Sequence, residues 1–267
     1  VPAPEEQTEA LPQGSGMPLH LQLLFPLVVL AIGQGLGGVQ VVALLAGVAF
    51  SGWVLAERLL PPRVWLPVTL LFSVALAAHL LPGFSPLVLA APQQLSPDAP
   101  PYALRLSWDK LLVGMTLLAC WLGRPAPPAL APQRAWFAAL ATLLLVPGLA
   151  LAIGLVGWQP KWPEMIWEWL AVNLLATVLA EELVFRGLLQ PALVSWLGGR
   201  KGVLLTAAIF GAVHLPFSPL FALVAGLAGL GYGLAFHYSG RLSVAIALHL
   251  GVNLCHLLLL SYPLRLA

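Results

Sequence analysis

Charge is what this chain has least of. Twelve Lys or Arg and ten Asp or Glu make up 8% of 267 residues, while 60% are hydrophobic and mean hydropathy is +0.93. Soluble domains carry roughly 25% charged residues. Too few polar side chains remain to cover a water-facing surface, which excludes a soluble globular protein. The formal net charge of +2 and the lack of any basic run exclude a nucleic-acid partner. Cysteine is nearly absent. Cys120 and Cys255 each sit in an apolar stretch, so a disulfide framework, a CxxC pair and a cysteine zinc cluster are excluded. The two aspartates, Asp98 and Asp109, lie in or beside a connection, against an intramembrane aspartyl dyad. No GxSxG and no HExxH occurs, and Ser239 near His237, the nearest serine–histidine pair, abuts a Gly-Arg loop.

Long apolar runs are what is present. From Ala10 to Ala56 there is no Asp, Glu, Lys or Arg. A membrane-crossing helix takes about 20 mainly apolar residues. The pattern predicts an all-α, polytopic transmembrane helix bundle of about eight or nine spans. They fall near 19–33, 38–56, 64–82, 110–123, 135–157, 165–190, 202–215, 218–237 and 242–260, the fourth and seventh being short. Breakers separate them: "GQGLGG", "LPPR" and the proline-rich 123–134. In the longest connection, 83–109, "ALRLSW" alternates apolar and polar residues and is expected to lie at the interface. Trp158, Trp162, Trp167 and Trp169 suit an aromatic belt. Residues 1–16, with Glu5, Glu6 and Glu9, read as a disordered polar tail or an added linker and stand outside the fold. The rest divides into N-terminal helices of uncertain role (17–160) and a C-terminal catalytic part (161–267), within one membrane domain.

Orientation follows from the cations. With nine spans and a cytoplasmic N-terminus, Arg58, Arg63, Arg124, Arg134, Arg200, Lys201 and Arg241 face inward, against Arg105, Lys110, Lys161 and Arg265 outward.

One span is costly. "TVLAEELVFRGLL" places Glu181, Glu182 and Arg186 in the apolar stretch 177–189. Each charge at mid-span costs about 2.5–3.5 kcal/mol on insertion scales. Glu182 and Arg186 are four apart, share a helix face, and read as a structural ion pair. Glu181 points elsewhere and has no local cation, which makes it a candidate general base. Two more helices carry polar groups: His214 in "IFGAVHLPF", and His249, Asn253 and His256 in "ALHLGVNLCH". His214 lies 13 residues from Lys201 and His249 eight from Arg241. Those separations are roughly 20 Å and 12 Å of helix. Glu181, His214 and His249 are therefore expected to meet in one cavity open to the cytoplasm. His256 is assigned a structural role, and His79 and His237 an interfacial one. Pro216 is expected to end the helix bearing His214. Gly226, Gly229 and Gly233 are expected to allow close packing within the chain.

Three motifs in order, "EELVFR" at 181–186, "FGAVH" at 210–214 and "HLGVN" at 249–253, resemble those of the CPBP family of CaaX proteases and bacteriocin-processing enzymes, also called Abi. The family includes the Ras-converting CaaX endopeptidases. The resemblance covers roughly 165–260. It implies an intramembrane endopeptidase acting on a membrane-associated protein or peptide, prenylated or not. In that reading Glu181 and His214 activate water, and His249 and Asn253 hold the oxyanion. Glu182 and Arg186 fix the helix and its field, and Phe210 packs beside the site. The chemistry fits: amide hydrolysis needs a base and donors aimed at the developing oxyanion. A metal-free, glutamate-type reaction without cofactor is favoured. The alternative is catalytic zinc on Glu181, His214 and His249, with an open fourth position. A bacteriocin-immunity or maturation role is the runner-up within the family and is compatible with proteolysis; readings outside this chemistry are a transporter or proton relay and a silent scaffold.

Overall fold

The computed structural model describes residues 17–122, 124 and 128–266. Residues 1–16, read above as a tail, and the centre of the proline-rich loop lie outside the described residues. About 70% of the described residues are helical.

The N-terminal part is a set of apolar helices: α1 (Leu19–Gly35) and α2 (Val41–Leu55), both free of charge, and α3 (Pro62–Ala77), charged only at Arg63 in its first turn. Gly37, with φ of 74°, makes the turn between α1 and α2, where a Cβ would be strained. The fourth helix, α4 (Trp108–Trp121), is the central post. Leu112, Val113 and Leu117 on it are buried against the first helices and the C-terminal part. Gly114 makes the close approach possible: a Cβ there would lie 3.1 Å from the Leu175 carbonyl oxygen and 3.2 Å from the Ala180 nitrogen. Any side chain on α4 at that point would push back the helix that carries Glu181.

The C-terminal part begins with α5 (Pro132–Ala152). A long interrupted helix follows: α6 (Ile166–Val172), π-helical turns over Asn173–Val178, α7 (Leu179–Glu182), further π-helical turns over Leu183–Leu189, and α8 (Gln190–Leu197). Then come α9 (Gly199–Ala212), α10 (Pro219–Ser239) and α11 (Leu242–Leu259). One apolar cluster runs through both parts, from Val29 on α1 to Leu260 after α11.

Three helices, α5, α10 and α11, are long and apolar enough to cross a membrane, and α1, α2 and α3 are shorter apolar helices. The spans read from the sequence coincide with helices to within a few residues, except that 165–190 extends to Leu197. The all-α expectation needs one correction. Within 83–109 the chain forms an antiparallel hairpin, β1 (Leu87–Gln93) with β2 (Tyr102–Leu106), in the register Leu87 to Leu106 and Val88 to Arg105. Its alternation of Leu104 and Leu106 with Arg105 has the two-residue period of a strand. Leu104 is buried beside Met165, Ile166, Trp169 and Leu257. Trp169 is no belt residue. Trp158, Trp162 and Trp167 are exposed, whereas Trp169 is buried and donates from Nε1 to the Tyr262 hydroxyl over 2.9 Å. Burial pushes the Tyr262 phenol up, and the adjacent Tyr102 adds to the effect.

Candidate active site

The site begins with a cost. Glu182 and Arg186 have no solvent exposure, and Arg186 Nη1 donates to Glu182 Oε1 over 3.0 Å. Nη2 of the same guanidinium donates to the Gly229 carbonyl on α10 over 2.8 Å. One turn on, Gln190 Nε2 donates to the Gly233 carbonyl over 2.9 Å. The glycines serve the packing expected of them: without side chains, their carbonyls are open to a neighbouring helix. The Arg186 guanidinium also lies 4.6 Å from the Phe210 ring centroid and 5.3 Å from that of Tyr232. Stacking of this kind compensates a desolvated cation.

Glu182 has a second partner. His249 Nδ1 on α11 is 2.8 Å from Glu182 Oε1. Tyr232 stacks on the same imidazole at 4.5 Å between centroids and 19° between planes, and Phe210 meets it edge-on at 6.0 Å. The ring therefore has one orientation, with Nε2 turned toward Glu181 Oε2 at 4.0 Å. Glu181 differs from its neighbour. Its side chain is 20% exposed and makes no contact with Arg186, as the helical spacing predicts.

His214 follows α9, which ends at Ala212. The chain turns through 213–217, and α10 starts at Pro219 with the Ser218 hydroxyl accepting from the Phe221 nitrogen. The expected break at Pro216 is present. Within that turn His214 Nδ1 is 2.7 Å from the Phe210 carbonyl oxygen. A carbonyl only accepts, so Nδ1 carries the proton and the lone pair of a neutral ring lies on Nε2. The ring is held by Phe210 at 4.9 Å and Phe221 at 5.5 Å.

Asn253 lies one turn beyond His249, and its Nδ2 donates to Asn173 Oδ1 over 3.1 Å. Asn173 was not singled out from the sequence. The signal was available, since it is a polar residue in the same apolar span as Glu181.

Glu181, His214, His249 and Asn253 all line one cavity with about 780 Å³ of empty space. Thr177, Phe210, Tyr232 and His256 line it too, among aliphatic residues of α5, α10 and α11. His256 holds the adjoining chain, with Nε2 2.9 Å from the Ser261 carbonyl oxygen. Leu155 and Val156 beyond α5, and Leu260 and Leu264 beyond α11, bound the cavity at the helix ends away from Arg200, Lys201 and Arg241. Among the described residues, no three His, Cys, Asp or Glu side chains are grouped to hold a metal ion.

Residues that could polarise water and residues that could hold an oxyanion thus share an apolar chamber between helices, the arrangement of a membrane-embedded hydrolase. Residues 162–255, which carry all four, match the family model for type II CAAX prenyl endopeptidases, Rce1-like. This about one-third of the chain is similar to a protease family, in line with the CPBP resemblance of the motifs. No curated protein and no solved structure matches the chain.

Proposed function

We propose that the protein is an intramembrane endopeptidase that hydrolyses a peptide bond of a membrane-associated protein or peptide with a metal-free, glutamate-activated water. The observation that carries this reading is the shared lining of one chamber by Glu181, His214, His249 and Asn253. Glu181 takes a proton from water, and His214 Nε2 accepts a hydrogen bond that orients the same water. The water oxygen attacks the scissile carbonyl carbon. The oxyanion so formed receives donors from His249 Nε2 and from the Asn253 amide hydrogen that Asn173 does not take. With Nδ1 engaged by Glu182, Nε2 donates only in the doubly protonated ring. The proton held by Glu181 passes to the departing nitrogen as the C–N bond breaks. A carboxyl and an amine leave, and the carboxylate is restored. The 161–267 part is the catalytic unit, and the preceding helices wall the site.

The test uses the full chain in lipid nanodiscs with an apolar quenched-fluorescence peptide library. Glu181→Ala and His214→Ala should each lower turnover by about 10²–10⁴-fold, the usual contribution of a positioned acid or base. Activity should persist in chelator. Full activity in both variants overturns the assignment, and loss in chelator with recovery on adding zinc transfers it to a metal reaction.

A further inference from the structure

Glu181 and His214 also line a second cavity, on the other side of their helices, with about 1160 Å³ of empty space. It is built from the C-terminal end of α3, the first turn of α4 and the 213–217 turn. The two cavities differ in chemistry. The first is lined by aliphatic and aromatic side chains and by polar ones, with no Lys or Arg among them. The second contains a fixed cation, Lys110.

Lys110 is half-buried, and its ammonium makes no ion pair or hydrogen bond with another described residue. The adjacent acid does not serve it. Asp109 is buried, with Oδ2 2.7 Å from His79 Nδ1 and Oδ1 accepting the Lys110 backbone N–H over 2.8 Å. His79 and Asp109 thus form a closed unit at the cavity wall, and Lys110 is left as unmatched positive charge. The other ionisable groups facing this space are Glu181, His79 and His214. An ammonium in a largely apolar pocket is costly without a directly paired counter-charge. It also favours an anionic ligand group over a neutral one of the same shape.

We propose that Lys110 is a specificity-determining residue: it binds a carboxylate of the substrate in the second cavity while the scissile bond sits at the partition formed by Glu181 and His214. This rests on the protease reading. The apolar stretch of substrate occupies the first cavity, and the carboxylate-bearing side, whether a chain terminus or an acidic side chain, occupies the second.

Binding tests the proposal without turnover. The full chain carrying Glu181→Gln, in phosphatidylcholine nanodiscs, is titrated with a dansyl-labelled apolar hexapeptide in three forms. These are the free C-terminal acid, the C-terminal amide, and the amide with a Glu at the penultimate position. At least one carboxylate form should bind about 10-fold more tightly than the plain amide, the worth of one charge-assisted hydrogen bond. Which form gains tells a terminal from a side-chain carboxylate. Adding Lys110→Gln should erase the difference, and Lys110→Arg should keep most of it. Equal binding of the three forms with Lys110 present overturns the proposal, as does a preference that survives Lys110→Gln. The protease reading fails separately, if the chain with Glu181 intact cleaves none of the three while the carboxylate preference holds.

Discussion

At the scale of single residues, the site turns on one carboxylate. Glu182 Oε1 accepts from Arg186 and from His249, while Glu182 Oε2 and Arg186 Nε are buried with no partner among the described residues. An incompletely satisfied buried ion pair is weak as a source of stability. Its consequence lies in what it orients: Glu182 fixes the imidazole that faces Glu181. Removing one partner leaves an uncompensated charge, so Arg186→Met should destabilise the fold by about 3–5 kcal/mol. Glu182→Gln with Arg186→Met should recover much of that, read as thermal melting in detergent. A double variant no more stable than Arg186→Met would show that the two do not act as a pair. The pair itself was legible, because four-residue spacing puts both groups on one face. Asn173 was visible only as a polar residue in that span; its contact with Asn253 and the Tyr232 stack were not legible. Their roles depend on which helix lies opposite, and no spacing within a helix records that.

At the scale of elements, two departures from regular helix place Glu181 and His214. The π-helical turns on either side of Glu181 and Glu182 widen the helix where it carries its acids, a feature common at functional sites. The 213–217 turn ends α9 and leaves His214 outside a regular helix. The second departure was legible from Pro216. The first was not, since α and π turns use the same residues and differ through packing. Gly114 and Gly211 are part of that packing. A Cβ at Gly211 would sit 2.9 Å from the Ala222 carbonyl oxygen and 3.0 Å from the Gly226 Cα, both backbone on α10. Neither can yield as a side-chain tip would. Gly211→Val should cost about 1–3 kcal/mol by overpacking. It should lower turnover more than substrate affinity, because His214 moves with the end of α9. Unchanged melting and turnover would mean that α9 and α10 do not approach this closely.

At the scale of the whole molecule, the C-terminal helices and the less readable N-terminal part share one core. Nothing in residues 17–160 pointed to chemistry beyond membrane spans, yet α3 and α4 wall the second cavity and α5 walls the first. The hairpin and the C-terminal segment close one end: Ser261 Oγ donates to Asp98 Oδ2 over 2.6 Å and accepts from the Gly157 nitrogen over 2.7 Å. These joins link residues more than a hundred positions apart, which is why a reading along the chain saw loops there. The helices were legible because lipid-facing sequence must be apolar over a fixed length.

The central claim is that Glu181 and His214 act on one water in one chamber, and a double-variant cycle measures this most directly. Cleavage of a peptide by the full chain in nanodiscs is compared for Glu181→Gln, His214→Ala and the two together. Groups that act as a unit lose activity far less than additively, so the double variant should be about as slow as the slower single one. Losses that multiply, or a single variant with native turnover, would contradict the account.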